Sequence, residues 1–418
     1  MLTVVLRRCS PAAIALASVV GFLVLGPGPS APPPLAPASA QAQGPLKYTG
    51  SGSCGASKCH ADPNPRGEYP RLNEHLIWSQ RDKHSTAYAT LTNENLKSGV
   101  SPSKVAAKLN VAKPETSDRC LDCHTLNARP DMRGQKFDIT QGVQCEVCHG
   151  PAQRWLEPHT KKGWSHEDSV AAGMYDTRNP LRRAEKCVAC HLAIDAEMVA
   201  AGHPDPISFE LDTFNREIPQ HWRDKGTWFS ARLWSIGQVV ALREAARRLA
   251  DRAGANTAPK LLQEAGEKVV GHGVMVKYLL GVVASGAEKA VEADVAAAGN
   301  AAQKGDRGGI QAASAKIVAA MTQQAPKVAG RDMDQATVRK IIQAISADGE
   351  AIGSSGFRAA EQGGMALDRL VANYTRVAGA NKEAGEALDK VFATIKDPAK
   401  YDAKAFAAAV KEFQSKFK

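Results

Sequence analysis

The sequence has no cysteine after Cys190 and only Cys9 before Cys54, so the other cysteines lie in one part of the chain. After Leu25 it has no further long hydrophobic run, and we expect the mature chain to be soluble. It also lacks a basic segment interleaved with aromatic residues. A nucleic-acid partner is therefore not expected, despite a net charge of +10 and a pI near 9.1.

The first 42 residues have the pattern of a secretory signal peptide. Arg7 and Arg8 precede an apolar run at 12–25, and no acidic residue occurs before Asp62. Small residues at 38–42 provide cleavage sites for a signal peptidase. Because the run is shorter than the roughly 20 residues that span a bilayer, we prefer cleavage and periplasmic export to an uncleaved anchor.

Three segments follow the pattern Cys-x-x-Cys-His, which is the attachment signature of c-type heme. Two thiols one helical turn apart can add to the two vinyl groups of a porphyrin, and the following histidine then binds the iron. A zinc site would need sets of four ligands and does not explain a histidine after each second cysteine. The segments are Cys120-Leu121-Asp122-Cys123-His124, Cys145-Glu146-Val147-Cys148-His149 and Cys187-Val188-Ala189-Cys190-His191.

A fourth site is less regular, with four residues between Cys54 and Cys59 before His60. One alternative is a small disulfide loop, which an oxidising compartment would permit. We favour heme, because Cys59 and His60 keep the second half of the signature. All eight cysteines after the signal peptide are then used.

Seven further histidines provide candidates for the second axial ligand of each iron. Histidine is favoured over methionine, since few methionines lie in the same half of the chain. His75 and His166 are expected to face solvent or heme propionates, and His272 to be structural. The favoured ligands, ranked by their local sequence, are His84, His159, His203 and His221.

Residues 48–222 resemble the tetraheme cytochrome c family typified by the electron acceptor of hydroxylamine oxidoreductase in nitrifying bacteria. The resemblance is carried by the segments Tyr48–Cys54, Trp78 with His84, Gly142–Ala152 and His159–Gly163. The elements around His203 and His221 resemble a wider group of multiheme cytochromes.

The resemblance implies how ligands pair with the attachment sites. His84 would pair with His149, and His159 with His60. The fourth heme would take His203 or His221. The second heme, on His124, has no sixth ligand in the typical family member. This chain offers both His203 and His221, so the coordination of that iron stays open.

We expect a mainly α protein, with an irregular, heme-packed domain at 43–225 and an Ala-rich helical bundle at 226–418. In the bundle, apolar residues recur at three- and four-residue steps. The predicted helical stretches are 235–253, 258–283, 310–324, 333–347, 359–378 and 382–417.

The favoured function is electron transfer between a redox protein donor and an acceptor through four closely spaced heme c groups. We also expect a weak association with membrane electron-transport proteins, and the oligomeric state stays open. The alternative is an oxidoreductase acting on a small nitrogen or sulfur oxide at an open heme iron. Such an enzyme needs a vacant coordination position, and the sequence has enough histidines to close every iron.

Overall fold

The computed structural model describes residues 45–205, 209–255 and 257–417, so the predicted signal peptide at 1–42 lies outside the described residues. Within these ranges the chain forms helices and no strand, and a single backbone bridge joins Tyr48 to Arg133. This confirms the mainly α fold class. None of the helices in these ranges is long and apolar enough to cross a membrane.

The first half contains short helices separated by turns. Its α-helices are α1 (Glu74–Arg81), α2 (Pro102–Lys108), α3 (Asp118–His124), α4 (Cys145–His149), α5 (His166–Ala171), α6 (Pro180–His191), α7 (Ala196–Ala201) and α8 (Leu211–Glu217). Single 3-10 turns cover Ser51–Ser53, Lys83–Thr86, Tyr88–Leu91, Pro114–Thr116, Pro130–Met132, Ile139–Gln141 and Pro158–Thr160.

The second half is a bundle of longer helices, followed or interrupted by short ones. They are α9 (Phe229–Gly254), α10 (Pro259–Val283), α11 (Ala287–Lys304), α12 (Arg307–Ala329), α13 (Gln335–Ala347), α14 (Gly349–Ser354), α15 (Phe357–Ala378), α16 (Lys382–Thr394) and α17 (Ala403–Lys416), with a 3-10 turn at Pro398–Lys400.

Three of the differences between the bundle and the prediction are instructive. Helix α11 was missed because nearly half of its sequence is alanine, with Val291 and Val295 as its large buried apolar side chains. The predicted stretch 382–417 is two helices, because Pro398 cannot continue α16. Helix α12 continues through Pro326 to Ala329, although a proline at this position removes one backbone donor.

Residues 45–418 form one compact unit. One buried apolar cluster runs from α6, through Phe209 and Leu211, into the bundle helices. Helices α6 and α8 pack directly on α9. The division near residue 225 therefore stays a prediction about domains, but the two parts share a core.

Candidate heme-binding site

One large cavity in the first half is lined by every cysteine of the predicted attachment sites. Its volume is about 2190 Å³, whereas ordinary small-molecule sites reach about 1,000 Å³. All histidines of the chain except His272 also line it. The cavity therefore has the size and the donor groups for several porphyrins.

The three regular attachment motifs each occupy the last turn of an α-helix. Helices α3, α4 and α6 end at His124, His149 and His191, respectively. Thiols three residues apart on a helix lie on the same face, as attachment to one porphyrin requires. Helix α6 is the best anchored of the three, because the Asn179 side chain accepts hydrogen bonds from the first backbone amides and Pro180 follows.

The irregular motif has a different backbone. Cys54 follows a 3-10 turn, and Cys59 and His60 lie in consecutive turns rather than in a helix. The two thiols are free, so the disulfide alternative is not seen in this structure. Gly55 allows this loop to pack on His75, because a Cβ at Gly55 would come within 2.8 Å of the His75 ring.

Candidate ligands from distant parts of the sequence face one another in pairs. The ring centroids of His60 and His159 are 6.2 Å apart. Those of His124 and His203 are also 6.2 Å apart, and those of His84 and His191 are 6.1 Å apart.

This spacing has a simple explanation in coordination chemistry. A metal bound between two imidazoles lies about 2 Å from each nitrogen, which places the ring centroids about 6 Å apart. His149 and His221 are the remaining candidates. They lie close enough that a charge on His221 adds to burial in lowering the pKa of His149.

Hydrogen bonds fix the orientation of six of these imidazoles through Nδ1. Carboxylates accept in two cases, at 2.9 Å: Glu74 from His60, and Asp82 from His84. An Nδ1–H that donates to an oxygen leaves Nε2 unprotonated and available to a metal. Backbone carbonyls accept from the other four: Ala87 from His124, Trp155 from His159, Pro204 from His203 and Pro219 from His221.

Two of the candidate ligands, His149 and His191, are held neutral. Burial lowers the pKa of His149 to about 4, and nearby positive charges contribute. Burial likewise lowers the pKa of His191 to about 4. The neutral imidazole is the form that binds metals.

The pairing of His84 differs from the one that the family resemblance implied. The backbone carbonyl of His84 accepts a hydrogen bond from Val143, just before the third motif. Gly142 permits this contact, since a Cβ there would lie 2.5 Å from the His84 oxygen. The His84 side chain nevertheless points to His191 in the fourth motif rather than to His149. The pairing of His159 with His60 is as implied.

Three further histidines have distinct settings. His75 is partly buried against the Trp78 ring, and His166 contacts the Asp176 carboxylate at 2.9 Å. Both residues are partly exposed and line the cavity, so their predicted position facing solvent or heme propionates stays a prediction. His272 is buried in the bundle, and its Nδ1 lies 2.9 Å from Oε1 of Gln238.

Several unpaired polar atoms indicate that the cavity receives a polar ligand. The indole Nε1 of Trp155 and the Nδ1 of His75 are buried without a hydrogen-bond partner. Such atoms are rare in proteins, and both residues line the cavity. Donors or acceptors at these positions suit the carboxylates of a porphyrin. No group of three or more His, Cys, Asp or Glu residues suited to a metal ion occurs among the described residues.

Glu146, inside the third motif, was not predicted to be functional. It is 1% exposed and accepts hydrogen bonds from the backbone amides of Thr49, Gly50 and Ala152. It thereby fastens the segment leading to Cys54 onto the third motif. In the sequence, the one sign of this role was an acidic residue between the two cysteines of the third motif.

Arg119 forms a similar connection between the second and fourth motifs. It precedes Cys120 and contacts Asp195 at 2.6 Å and Glu197 at 3.0 Å. Both acidic residues follow the fourth motif, which ends at His191. The two motifs are thus held together by side chains as well as by the shared cavity.

The thiol pairs, their following histidines and the opposed imidazoles have the arrangement that attachment and ligation of heme c require. Residues 54–150 match the family described as cytochrome c554 and c-prime. The chain is also similar to cytochrome c-554 of Nitrosomonas europaea, with 36% identity over 116 residues. That alignment covers 24% of this chain and 46% of the relative, so it spans less than half of the relative's length. No solved structure matches at a comparable level of significance.

These matches confirm that this part of the chain resembles the cytochrome c554 family. The bundle helices lie beyond the matched residues, so the comparisons with relatives do not describe them.

Proposed function

We propose that the protein is a periplasmic tetraheme c-type cytochrome that transfers electrons between a protein donor and a protein acceptor. The observation that carries this proposal is the set of opposed imidazoles about 6 Å apart across the cavity. In the proposal, His159, His203 and His84 are the second ligands of the first, second and fourth hemes. His221 is assigned to the third heme, opposite His149.

The attachment motifs adjoin one another in a defined order. The thiols of Cys54 and Cys145 interact directly, which brings the first motif beside the third. Burial raises the pKa of the Cys187 thiol, and the nearby Cys148 thiol raises it further. The third motif therefore lies near the fourth.

Cys123 and Cys190 interact directly, and this contact brings the fourth motif beside the second. The motifs therefore form a continuous row in the order first, third, fourth, second. This row supports transfer between two ends of the molecule rather than chemistry at one enclosed site.

When bound, heme c supplies an iron that accepts and releases one electron. The chain's own residues hold each imidazole in one tautomer through its Nδ1 acceptor. Cationic side chains such as Arg66, Arg183 and Arg232 line the cavity and suit propionate carboxylates. Histidine on both sides of every iron leaves no coordination position for a small substrate.

The proposal includes export and a class of partner. Residues 1–42 would direct secretion, after which the hemes are attached on the far side of the membrane. The partners would be other redox proteins, with weak association to membrane electron-transport proteins. The proposed partners do not include a nucleic acid.

The first test is the heme content and carbon monoxide binding of the purified holoprotein. We expect a mass gain of four hemes per chain, an all low-spin oxidised spectrum and no carbon monoxide binding on reduction. A mass gain of three hemes would refute the assignment of a heme to Cys54 and Cys59. If one heme in four is high-spin and binds carbon monoxide on reduction, the oxidoreductase alternative is favoured.

A further inference from the structure

The segment that carries His203 has little packing of its own. It follows α7 at Gly202, which has a φ of 104°, and the His203 amide donates to the Met198 carbonyl at 2.9 Å. Among the described residues, the hydrogen bond of His203 Nδ1 is to the adjacent Pro204 carbonyl, at 2.7 Å. These local contacts do not explain why the ring stays opposite His124.

Two residues after His203, side chains of the helical bundle bind the chain at Asp205. Asp205 contacts Arg252 of α9 at 2.9 Å and Lys268 of α10 at 2.6 Å. The three side chains are 11%, 3% and 9% exposed, respectively. We call these three residues the Asp205 clamp.

The clamp also reaches the fourth attachment site. The same Arg252 nitrogen that contacts Asp205 donates to the backbone carbonyl of Ile194 at 3.1 Å. Ile194 lies three residues after His191. One buried guanidinium therefore fastens both the segment after His191 and the segment that carries His203.

The electrostatics make this attachment hard to break. One buried carboxylate compensates two buried cations, so moving Asp205 away leaves both cations unpaired in a region of low dielectric. Buried ion pairs are best attested as devices that fix one arrangement against its alternatives. A loop carrying a metal ligand is an arrangement that needs such fixing, because a small displacement of the imidazole breaks the bond.

We propose that the Asp205 clamp is a positioning device through which the helical bundle keeps His203 on the second heme iron. The bundle thereby decides whether that iron is closed or open to a small ligand. This inference rests on the proposed function, specifically on His124 and His203 as the two ligands of one iron. It gives the helical half of the chain a role in the heme half.

The test loosens the clamp without changing its net charge. The double variant Asp205→Asn with Lys268→Met removes one negative and one positive charge and keeps Arg252. We expect one heme in four to become high-spin in the folded holoprotein and to bind one carbon monoxide per chain on reduction. Added imidazole should restore the low-spin spectrum, because it replaces the missing ligand.

A second, milder variant is Arg252→Lys, which keeps the charge but cannot hold Asp205 and the Ile194 carbonyl together. It should open the same iron in a measurable fraction of molecules. The matched control is Arg307→Gln. Arg307 donates to the backbone carbonyls of Arg252, Ala253 and Ala255 at the same end of α9, but its side chain is not one of the three that form the clamp. It should lower the melting temperature and leave the spin state unchanged.

His203→Ala separates failure of this inference from failure of the proposed function. It should open one iron, and adding the clamp substitutions to it should open no further iron. An all low-spin spectrum in a folded clamp variant, when His203→Ala opens one iron, would overturn the inference alone. An unchanged spectrum for His203→Ala would instead overturn the ligand assignment on which the inference rests.

Discussion

The Nδ1 atom of His84 lies 2.9 Å from Oδ1 of Asp82, a carboxylate that is only 7% exposed. Burial alone would raise the pKa of Asp82, but its hydrogen bonds with His84 outweigh burial and lower it. Asp82 is therefore an anion that accepts the Nδ1–H of a candidate iron ligand. Such an acceptor makes the imidazole a stronger electron donor and favours the ferric state.

Asp82→Asn should raise the reduction potential of the heme held by His84 and His191. Replacing a charged acceptor with a neutral one weakens donation from the imidazole. An effect of about 1.4 kcal/mol corresponds to ~60 mV for one electron. A spectroelectrochemical titration measures the four potentials. Asp131→Asn is the control, because Asp131 is 60% exposed and pairs only with Arg129. Four unchanged potentials in Asp82→Asn would refute the role of Asp82.

The angle between opposed imidazoles predicts different magnetic signatures. The rings of His60 and His159 are nearly parallel, at 8°, whereas those of His124 and His203 are nearly perpendicular, at 85°. Parallel rings split the iron d orbitals and give a rhombic low-spin paramagnetic resonance signal, while perpendicular rings give a strongly anisotropic one. His159→Ala should remove a rhombic signal. Loss of an anisotropic signal instead would show that His159 belongs to a different iron.

Glu146→Ala should destabilise the holoprotein and loosen the first attachment site. The change leaves the amides of Thr49, Gly50 and Ala152 without their acceptor in a buried setting. Each unsatisfied buried group costs about 1–3 kcal/mol, so the free energy of unfolding should fall by about 3 kcal/mol or more. Denaturant unfolding measures the loss. Glu157→Ala, at an exposed position, should change it little. Equal effects of the two variants would contradict the fastening role of Glu146.

Glu210 should make the protein less stable as the pH rises. Burial, followed by the neighbouring Asp212 charge, raises the pKa of Glu210 from 4.5 to about 7. A folded-state pKa above the unfolded value favours the folded state at low pH. That stability is lost as pH rises from about 4.5 through 7, by up to roughly 3 kcal/mol.

Glu210→Gln should flatten this dependence, and unfolding midpoints measured across that pH range test it. The exposed Glu217, at the end of the same helix, is the matched position for a Glu→Gln control. A Glu210→Gln profile that runs parallel to the wild-type profile would show that Glu210 does not titrate in this range.

The attachment motifs can be predicted from the sequence because their chemistry is local. Three of the four motifs need only one turn of helix, and α3, α4 and α6 provide it. The ring pairings are different, because they depend on contacts between distant segments. The position of His84 depends on the close approach that Gly142 permits, and no spacing within the sequence encodes the direction of its side chain.

The same distinction holds in the bundle. Helices with a clear apolar stripe, such as α10 and α15, were predicted close to their observed bounds. Half of the residues that α11 buries are alanine. The small alanine side chain makes a weak hydrophobic pattern, although alanine is the best helix former. The contact of Arg252 with Asp205 joins residues on either side of the predicted boundary near 225, so it could not be read from either part alone.

The most direct test of the central claim is near-infrared magnetic circular dichroism of the oxidised holoprotein, normalised to protein concentration. This measurement identifies the axial ligands of low-spin heme and counts the hemes that carry them. We predict an intensity equivalent to four hemes with two histidine ligands in each chain. An intensity equivalent to three, together with high-spin bands for the fourth, would contradict the assignment of a histidine pair to every iron.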